Sequence, residues 1–326
     1  MPRQARLDAP RVLHHIIARG IEGTKIFRTK GDRLDFVERL ETLGEAKALV
    51  IYAWALMPNH FHLLVRTGKE PLPTSMRKLL TGYVVNFNRR HKRSGHLFQN
   101  RYKSIICETD PYLLELTRYI HLNPLRAGLM SNLEELGSFP WSGHSAILGR
   151  VKRPWQDTDT VLACFSPKRG KAIARYESFV RKGVSMGRRP ELVGGGLIRS
   201  TGGWSQVLSY RRQGVRSASD ARILGSSGFV ERLLKEIEER EKKTLRLKRK
   251  IKGLSSLAKE IAQSEGITIK ALRSGARSRG ISRARRLFSH MAVSRMGYSG
   301  AQVARFLGVT TSAVIRAAKA PETLNP

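Results

Sequence analysis

The segment Met57–Val65 constrains the fold of this chain more than any other stretch. It reads Met-Pro-Asn-His-Phe-His-Leu-Leu-Val, a turn followed by an alternating run. Successive side chains of a β-strand point to opposite faces, so His60 and His62 share one face and Phe61 lies on the other. Pro58 has no backbone N–H to donate and suits the turn before the strand. The segment predicts a strand with one apolar face and one histidine-bearing face.

Strand and helix patterns alternate on both sides of this segment. Apolar residues recur with helical spacing in some stretches and form short apolar runs in others. The predicted elements are strands at 11–19, 49–56, 60–66 and 98–107, and helices at 32–46, 75–90 and 110–122, the last one stopped by Pro124. The order is β-α-β-β-α-β with one further helix. It predicts an α+β fold with a ferredoxin-like antiparallel sheet.

The charge of the chain predicts a polyanionic partner. Its 326 residues include 60 Lys and Arg against 26 Asp and Glu, which gives a net charge of +34. So large a positive excess is typical of nucleic-acid binding. No window approaches the roughly 20 apolar residues of a membrane-spanning helix, and the first residues lack the apolar stretch of a signal peptide. We therefore expect a cytoplasmic, nucleoid-associated protein without a membrane partner.

The spacing of apolar residues, glycines and basic residues divides the chain into three predicted parts. Residues 1–145 hold the sheet and its helices, and residues 146–249 form a helical connector that ends in the basic run Arg240–Lys252. Residues 250–326 form an all-α domain. Within it, two short helices meet at a glycine-containing turn, the second capped by Thr310 and Thr311. This arrangement predicts a helix-turn-helix, in which the second helix reads DNA.

Tyr119 and Asn123 lie four residues apart on the helix at 110–122 and therefore share one side of it. Because Asn123 precedes a proline, we expect it to end or cap the helix. Two imidazoles and one amide oxygen would suit Mg²⁺ or Mn²⁺ held partly by phosphate and water. A metal beside a tyrosine hydroxyl allows in-line attack on a phosphodiester. The alternative is that His60 and His62 are an ordinary pair of surface or half-buried histidines that bind no metal.

The same residues carry a family resemblance. His60-Phe61-His62, the segment Gly95–Lys103 and the run Arg118–Gly128, with its Tyr-x-x-x-Asn-Pro spacing, resemble the REP-associated tyrosine transposases over about residues 9–145. These are single-tyrosine members of the HUH transposase and relaxase superfamily. The resemblance implies that His60, His62 and Asn123 bind a divalent metal. It also implies that Tyr119 attacks single-stranded DNA to give a 5′-phosphotyrosine and a free 3′-OH.

Other tyrosines and histidines compete for roles in such a site. We expect Tyr83 to pack in the core, Tyr102 to lie in a strand, and Tyr112 to be too far along the helix from Tyr119. His121 points away from Tyr119 and suits packing or a phosphate contact. The pair His14 and His15, in the first strand, receives no role.

Basic residues interleave with aromatic ones in the stretch 77–103, as in a groove that follows single-stranded DNA. A charged helix end with half-buried aromatic side chains is the alternative. Residues 250–318 resemble the DNA-binding domain of the bacterial replication initiator DnaA, although they lack the usual Asp-His before the Thr pair. The residues expected to contact DNA are Arg89, Arg90, Arg101, Lys103, Thr310, Thr311 and Arg316.

Of three candidate functions, the intact set of histidines, tyrosine and asparagine favours the first. It is a metal-dependent transposase-like endonuclease and strand transferase that acts on single-stranded or hairpin DNA, with duplex DNA bound by the C-terminal domain. The second is a non-catalytic, sequence-specific DNA-binding regulator on the same fold. The third, an RNA-binding ferredoxin-like module, would need aromatic pairs on the sheet face, where this chain has histidines. A homodimer is compatible with each of them.

Overall fold

The computed structural model divides the chain into two compact units, Met1–Ile237 and Glu238–Pro326. The described residues are 7–319, except Asp8, Lys69, Arg188, 195–217, 251–252, Gly275 and Arg277. Within these ranges, no helix is both long enough and apolar enough to cross a membrane.

The first unit is built on a five-stranded sheet. Its strands are β1 Leu13–Arg19, β2 Leu49–Met57, β3 His60–Thr67, β4 Lys103–Cys107 and β5 Ile223–Leu224. The sheet order is β2-β3-β1-β4-β5. The first four strands are antiparallel to their neighbours, and β5 pairs in parallel with β4. The α+β class and the ferredoxin-like order of the first four strands are therefore confirmed.

Helices cover both faces of this sheet. They are α1 Lys30–Glu45, α2 Leu72–Arg90, α3 Thr109–Arg126, α4 Leu133–Ser138, α5 His144–Ile147, α6 Thr158–Ala163, α7 Arg169–Lys182 and the part of α8 Ser227–Lys250 that belongs to this unit. Short 3-10 turns lie at Ile21–Gly23 and Pro190–Val193. Thr29 begins α1 with a reciprocal capping box to Asp32.

The alternation in β3 separates two apolar cores. Phe61, Leu63 and Val65 lie on one face, in a core with residues of α1 and α2. Leu64 lies on the other face, in a core with residues of α3 and α7. His62 shares that second face, because it is two residues from Leu64. The expected split of β3 into an apolar face and a histidine-bearing face is confirmed, and α3 is the helix that covers the histidines.

Two predicted element ends were wrong. The strand expected at 98–107 begins only at Lys103, and Phe98 makes a single bridge to Gly20. The helix expected to stop at Pro124 continues to Arg126. Pro124 removes one N–H donor from the helix, but the backbone bond from Ala127 N–H to the Asn123 carbonyl still closes the last turn. Asn123 is thus a helical residue and not a cap.

Residues 146–237 belong to the first compact unit, whereas the sequence suggested a separate connector. They supply the edge strand β5 and the helices α6 and α7, whose buried residues join the core under α3. Leu192, in the 3-10 turn Pro190–Val193, is also buried in that core. The reason lies in packing: the apolar side of α3 and the edge of β4 need covering, and this region covers them.

The second unit is a small helical bundle. Its helices are α9 Leu254–Ser264, α10 Ile269–Leu272, α11 Arg279–His290, α12 Gly300–Leu307 and α13 Thr311–Lys319, with a π-helical turn at Met291–Arg295. Its core includes Phe288, stacked on Phe306 with ring centroids 5.4 Å apart. Gly308, in the left-handed conformation, ends α12 and allows the tight turn into α13. The expected pair of short helices is present. The basic run Arg240–Lys252 continues α8 to Lys250, and residues 251–252 lie outside the described part.

Candidate active site

Four side chains meet on the sheet face beneath α3. The rings of His60 and His62 lie 5.2 Å apart in an edge-on arrangement. The Tyr119 ring lies 5.8 Å from His62 and 6.1 Å from His15, measured between centroids. His60, at the strand start, is half-buried, whereas His62, two residues further in, is 4% exposed. The structure therefore brings the predicted histidines and tyrosine together and adds His15.

Hydrogen bonds orient His60. Its Nδ1 lies 2.7 Å from Asn59 Oδ1. The Asn59 amide is oriented by a second bond, because its Nδ2 donates to the Gly23 carbonyl at 3.3 Å. Asn59 Oδ1 can only accept, so the neutral His60 ring carries its proton on Nδ1 and keeps a lone pair on Nε2. That lone pair is the form of imidazole that binds metal.

Burial keeps the histidines of this site neutral. It lowers the pKa of His60 to about 4, with a smaller contribution from the positive charge of Arg19. It lowers the pKa of His15 to about 4 as well, and that of His62 well below its ordinary value. Neutral imidazoles are required for metal ligation, and the environment provides them at neutral pH.

The helix α3 carries Tyr119 and Asn123 to the site one turn apart. Asn123 Nδ2 donates to the Tyr119 carbonyl at 3.1 Å, which leaves Asn123 Oδ1 as an acceptor. Both residues are half-buried and line a pocket of about 330 Å³ together with His60. The predicted nucleophile and the three predicted ligands are thus close in space, although Asn123 reaches the pocket from within the helix and not from its end.

Two arginines line the same pocket. Arg126, one turn after Asn123, places its guanidinium carbon 5.7 Å from the centre of the Tyr119 ring. Its Nη2 donates to the Gly183 carbonyl at 3.0 Å, but its buried Nε and Nη1 have no hydrogen-bond partner among the described residues. Burial lowers the pKa of Arg126, and the Tyr119 phenol opposes that effect. Arg189 forms ion pairs with Glu115 and Glu191. The pocket is therefore electropositive beside the tyrosine.

The donor set of the site fits a divalent cation with open coordination positions. It consists of two imidazole nitrogens and one amide oxygen, from His60, His62 and Asn123. In the described ranges, no group of three or more His, Cys, Asp and Glu side chains is arranged to hold a metal. All three protein donors are neutral, so anionic ligands would have to come from a bound phosphate. Imidazole donors suit Mn²⁺ better than Mg²⁺.

The competing residues serve as packing groups. Tyr83 is fully buried in the core against α1 and α2 and donates its hydroxyl to the Ile26 carbonyl. Tyr102 lies just before β4 and not within it, and it is 7% exposed in the same core. Tyr112 is half-buried against the other core. His121 is fully buried, and its Nδ1 lies 2.7 Å from the Tyr176 hydroxyl. No phosphate could reach it there.

The predicted DNA contacts in the first unit differ in their surroundings. Arg89 is exposed at the end of α2. Arg90 is held by an ion pair of 2.6 Å to the fully buried Asp32 carboxylate and therefore ties α2 to the start of α1. Lys103 donates to the Val193 carbonyl at 2.6 Å. Arg101 is exposed and lines a groove of about 710 Å³ beside α2, together with other basic and aromatic residues, namely Arg77, His96, Phe98 and Tyr102.

The predicted contacts in the second unit lie at the turn between α12 and α13. Thr310 caps α13, since its hydroxyl oxygen accepts from the Ala313 N–H at 3.3 Å. Thr311 and Arg316 are exposed. Thr310 also lines a pocket with Arg286, from α11. These side chains are available to a ligand at the surface of this unit.

Sequence reasoning missed His15, Arg126, Arg189 and Leu192. A signal existed for His15: β1 is the neighbour of β3 in a ferredoxin-like sheet, and alternation places His15 on the face of His62. A signal existed for Arg126 as well, one turn after Asn123. Arg189 and Leu192 follow a stretch without regular periodicity, and nothing in the sequence connects them with β1.

Comparisons with known proteins concern the first unit. Residues 9–123 match the model of a family described as "Transposase IS200 like". No curated protein matches the chain. A solved structure described as a REP-associated tyrosine transposase bound to a REP hairpin is similar with a TM-score of 0.38 and 14% identity, over 48% of this chain and 90% of that one. The resemblance of residues 250–318 to the DnaA domain receives no support from these comparisons and stays a prediction. The matched family segment spans β1 to α3 and includes His60, His62, Tyr119 and Asn123.

Proposed function

We propose that this protein is a transposase-like endonuclease and strand transferase that cuts and rejoins single-stranded DNA through Tyr119. The observation that carries the proposal is the pocket itself. Its cavity of about 330 Å³ is lined by Tyr119, His60, Asn123 and Arg126, and the His62 ring lies directly beside those of His60 and Tyr119. The family match over residues 9–123 supports the same reaction class.

Tyr119 is the nucleophile in this proposal. Its phenolic oxygen attacks a phosphodiester phosphorus, a new bond forms between that oxygen and phosphorus, and the bond from phosphorus to the 3′ oxygen breaks. The phenol loses one proton to solvent, and the departing 3′ oxygen gains one. The products are a 5′-phosphotyrosine and a free 3′-OH. Attack by a 3′-OH on the phosphotyrosine reverses these steps and rejoins the strand.

His60, His62 and Asn123 would hold a Mg²⁺ or Mn²⁺ ion. A cation bound there would polarise the scissile phosphate and stabilise the departing oxygen. The residues themselves orient the reactants. The bond of His60 to Asn59 keeps its Nε2 available, and the single helical turn between Tyr119 and Asn123 sets the nucleophile beside the ligands.

Arg126 would hold the phosphate. Its Nε and Nη1 are buried and free of protein partners in the described part of the chain, and phosphate oxygens would satisfy them. Charged hydrogen bonds from a rigid, planar guanidinium would also orient the phosphate. Arg189, on the other side of the pocket, adds positive charge, although its ion pairs with two glutamates weaken that contribution.

The substrate in this proposal is single-stranded or hairpin DNA. The groove beside α2 combines Arg77 and Arg101 with Phe98, which suits phosphate contacts and base stacking. Duplex DNA would bind the second unit at Thr310, Thr311 and Arg316, at the turn of a helix-turn-helix. The net charge of +34 supports both contacts.

A non-catalytic DNA-binding regulator is the competing function. It would need the groove and the second unit, but it would need neither the available Nε and Nη1 of Arg126 nor the neutral histidines. The experiment uses labelled hairpin DNA with Mn²⁺ and follows covalent adducts on denaturing gels. Wild type should form adducts, whereas Tyr119→Phe should form none and should still bind the DNA. Replacing His60 with alanine should remove metal-dependent cleavage. A regulator would form no adduct in any variant, and adducts on Tyr119→Phe would exclude this nucleophile.

A further inference from the structure

His15 lies on β1, fully buried and in contact with the site, but outside the set of proposed ligands. Its Nε2 is 2.9 Å from His62 Nδ1, and its Nδ1 is 3.1 Å from the Leu192 carbonyl oxygen. The two imidazole rings stack with centroids 5.2 Å apart. A continuous hydrogen-bonded chain thus runs from a backbone carbonyl, through His15, to His62.

The donor and acceptor roles along these hydrogen bonds follow from the Leu192 carbonyl. A carbonyl oxygen can only accept, so His15 must donate through Nδ1 to Leu192. A neutral imidazole with its proton on Nδ1 has an acceptor at Nε2. His62 must therefore donate through Nδ1, and its own Nε2 keeps the lone pair.

We propose that His15 is a positioning residue that fixes His62 in the tautomer and ring orientation required for metal binding. The proposal rests on the metal-binding role of His62 in the proposed function. A second hydrogen bond of this kind orients a metal-binding histidine and strengthens it as a ligand, and its loss weakens metal affinity about 10- to 100-fold in known sites. His15 would act through His62 and not touch the substrate.

An independent feature of the site agrees with this role. His60 is held in the same tautomer by Asn59, through different atoms and from a different part of the chain. Both predicted imidazole ligands thus keep their lone pair on Nε2. Two unrelated restraints with the same outcome indicate that the site is organised before a metal arrives.

His14 provides a matched control. It precedes His15 on the same strand and is also fully buried, but it lies on the opposite face, where its Nδ1 is 3.0 Å from Ser104 Oγ. Substitution at either position changes a buried histidine of β1, and only one of them removes the partner of His62. The variants are His15→Leu, which removes the acceptor, His15→Gln, which offers an amide oxygen, and His14→Leu as the control.

The experiment has two readouts on the full chain. Calorimetry with Mn²⁺ alone should give about 10- to 100-fold weaker binding for His15→Leu, near-normal binding for His14→Leu and partial recovery for His15→Gln. Nitrogen-15 NMR of the metal-free protein should report a protonated Nδ1 on His62 in wild type. Loss of that tautomer preference is expected in His15→Leu.

Two results would overturn the proposal. One is a folded His15→Leu protein that binds Mn²⁺ like wild type; the other is a wild-type His62 protonated on Nε2. The NMR result on wild type decides the matter even where a variant does not fold. Failure of the proposed function is a separate outcome: wild type would then form no Tyr119 adduct, whatever the tautomer of His62.

Discussion

Replacement of Arg126 with methionine removes a cation whose buried Nε and Nη1 have no partner among the described residues. Each unpaired buried donor destabilises by about 1–3 kcal/mol, and more when it is charged. The change also removes the bond from Nη2 to the Gly183 carbonyl, which contributes about 1.5–3 kcal/mol as a charged hydrogen bond. Two such donors together contribute a gain of about 2–6 kcal/mol, which exceeds the loss over most of the range. The free energy of unfolding should therefore change by between about −1 and +4 kcal/mol.

Activity should change in the opposite direction. In the proposed reaction, the two free nitrogens of Arg126 meet the phosphate whose charge is redistributed as Tyr119 attacks. Loss of one such preorganised donor lowers the rate about 10²- to 10³-fold in known enzymes, or about 2.7–4 kcal/mol. The single-turnover rate of adduct formation on labelled hairpin DNA should fall by that factor. Urea unfolding of the same preparation measures the stability.

Arg118 is the matched control on the same helix. Its guanidinium pairs with Glu115 at 2.7 Å and stacks over the Phe179 ring at 4.1 Å, away from the pocket. Arg118→Met should therefore destabilise the first unit by about 1.5–3 kcal/mol. Its adduct rate should stay within about threefold of wild type, which is less than 1 kcal/mol. The reasoning is refuted if Arg126→Met keeps the wild-type rate or if the two variants lose stability equally.

Further predictions concern the buried polar groups and the second unit. Tyr176→Phe leaves Nδ1 of His121 and of His144 without the hydroxyl that each contacts, so urea unfolding should show a loss of about 2–6 kcal/mol. Burial lowers the pKa of His14 and of His144 to about 4, so the unfolded chain takes up more protons below pH 6.5. Protonation of each histidine in the unfolded chain should lower the free energy of unfolding by about 2 kcal/mol between pH 7 and pH 5. Equal free energies of unfolding from urea titrations at the two pH values would contradict this. Truncation after about Glu239 should preserve adduct formation and weaken duplex binding, with the slope of log K against log salt reduced by about 0.9 for each lost phosphate contact.

Local patterns were sufficient to predict the first four strands of the sheet and to bring His60, His62, Tyr119 and Asn123 together as candidates. The alternation at His60, Phe61 and His62 assigned the faces of β3 correctly, because successive side chains of a strand point to opposite faces of the sheet. Helical spacing placed Tyr119 and Asn123 on one side of α3 for the same kind of reason. Pro124 misled the prediction of the helix end, since the loss of one donor did not outweigh the packing of α3 on the sheet.

Long-range pairings could not be predicted in the same way. The bond between His15 and the Leu192 carbonyl joins positions 177 residues apart. Its acceptor is a backbone atom, which any residue would supply, so no residue type marks it. The ion pair of Arg90 with Asp32 is similar: Arg90 was expected to contact DNA, and only the packing of α2 against α1 brings it to the buried carboxylate. The DNA-contact residues of both units stay predictions.

The position of Leu192 imposes an order on synthesis of the protein. A ribosome adds about 5–20 residues each second, so the carbonyl that restrains His15 is made roughly 9 to 35 s after His15 itself. The strands β1 to β4 and the helix with Tyr119 are complete well before then. A growing chain thus contains Tyr119, His60 and His62 before it contains the carbonyl that directs the proton of His15, and through it that of His62, to one ring nitrogen. The hydrogen bonds that orient His62 can therefore form only after Leu192 has been translated.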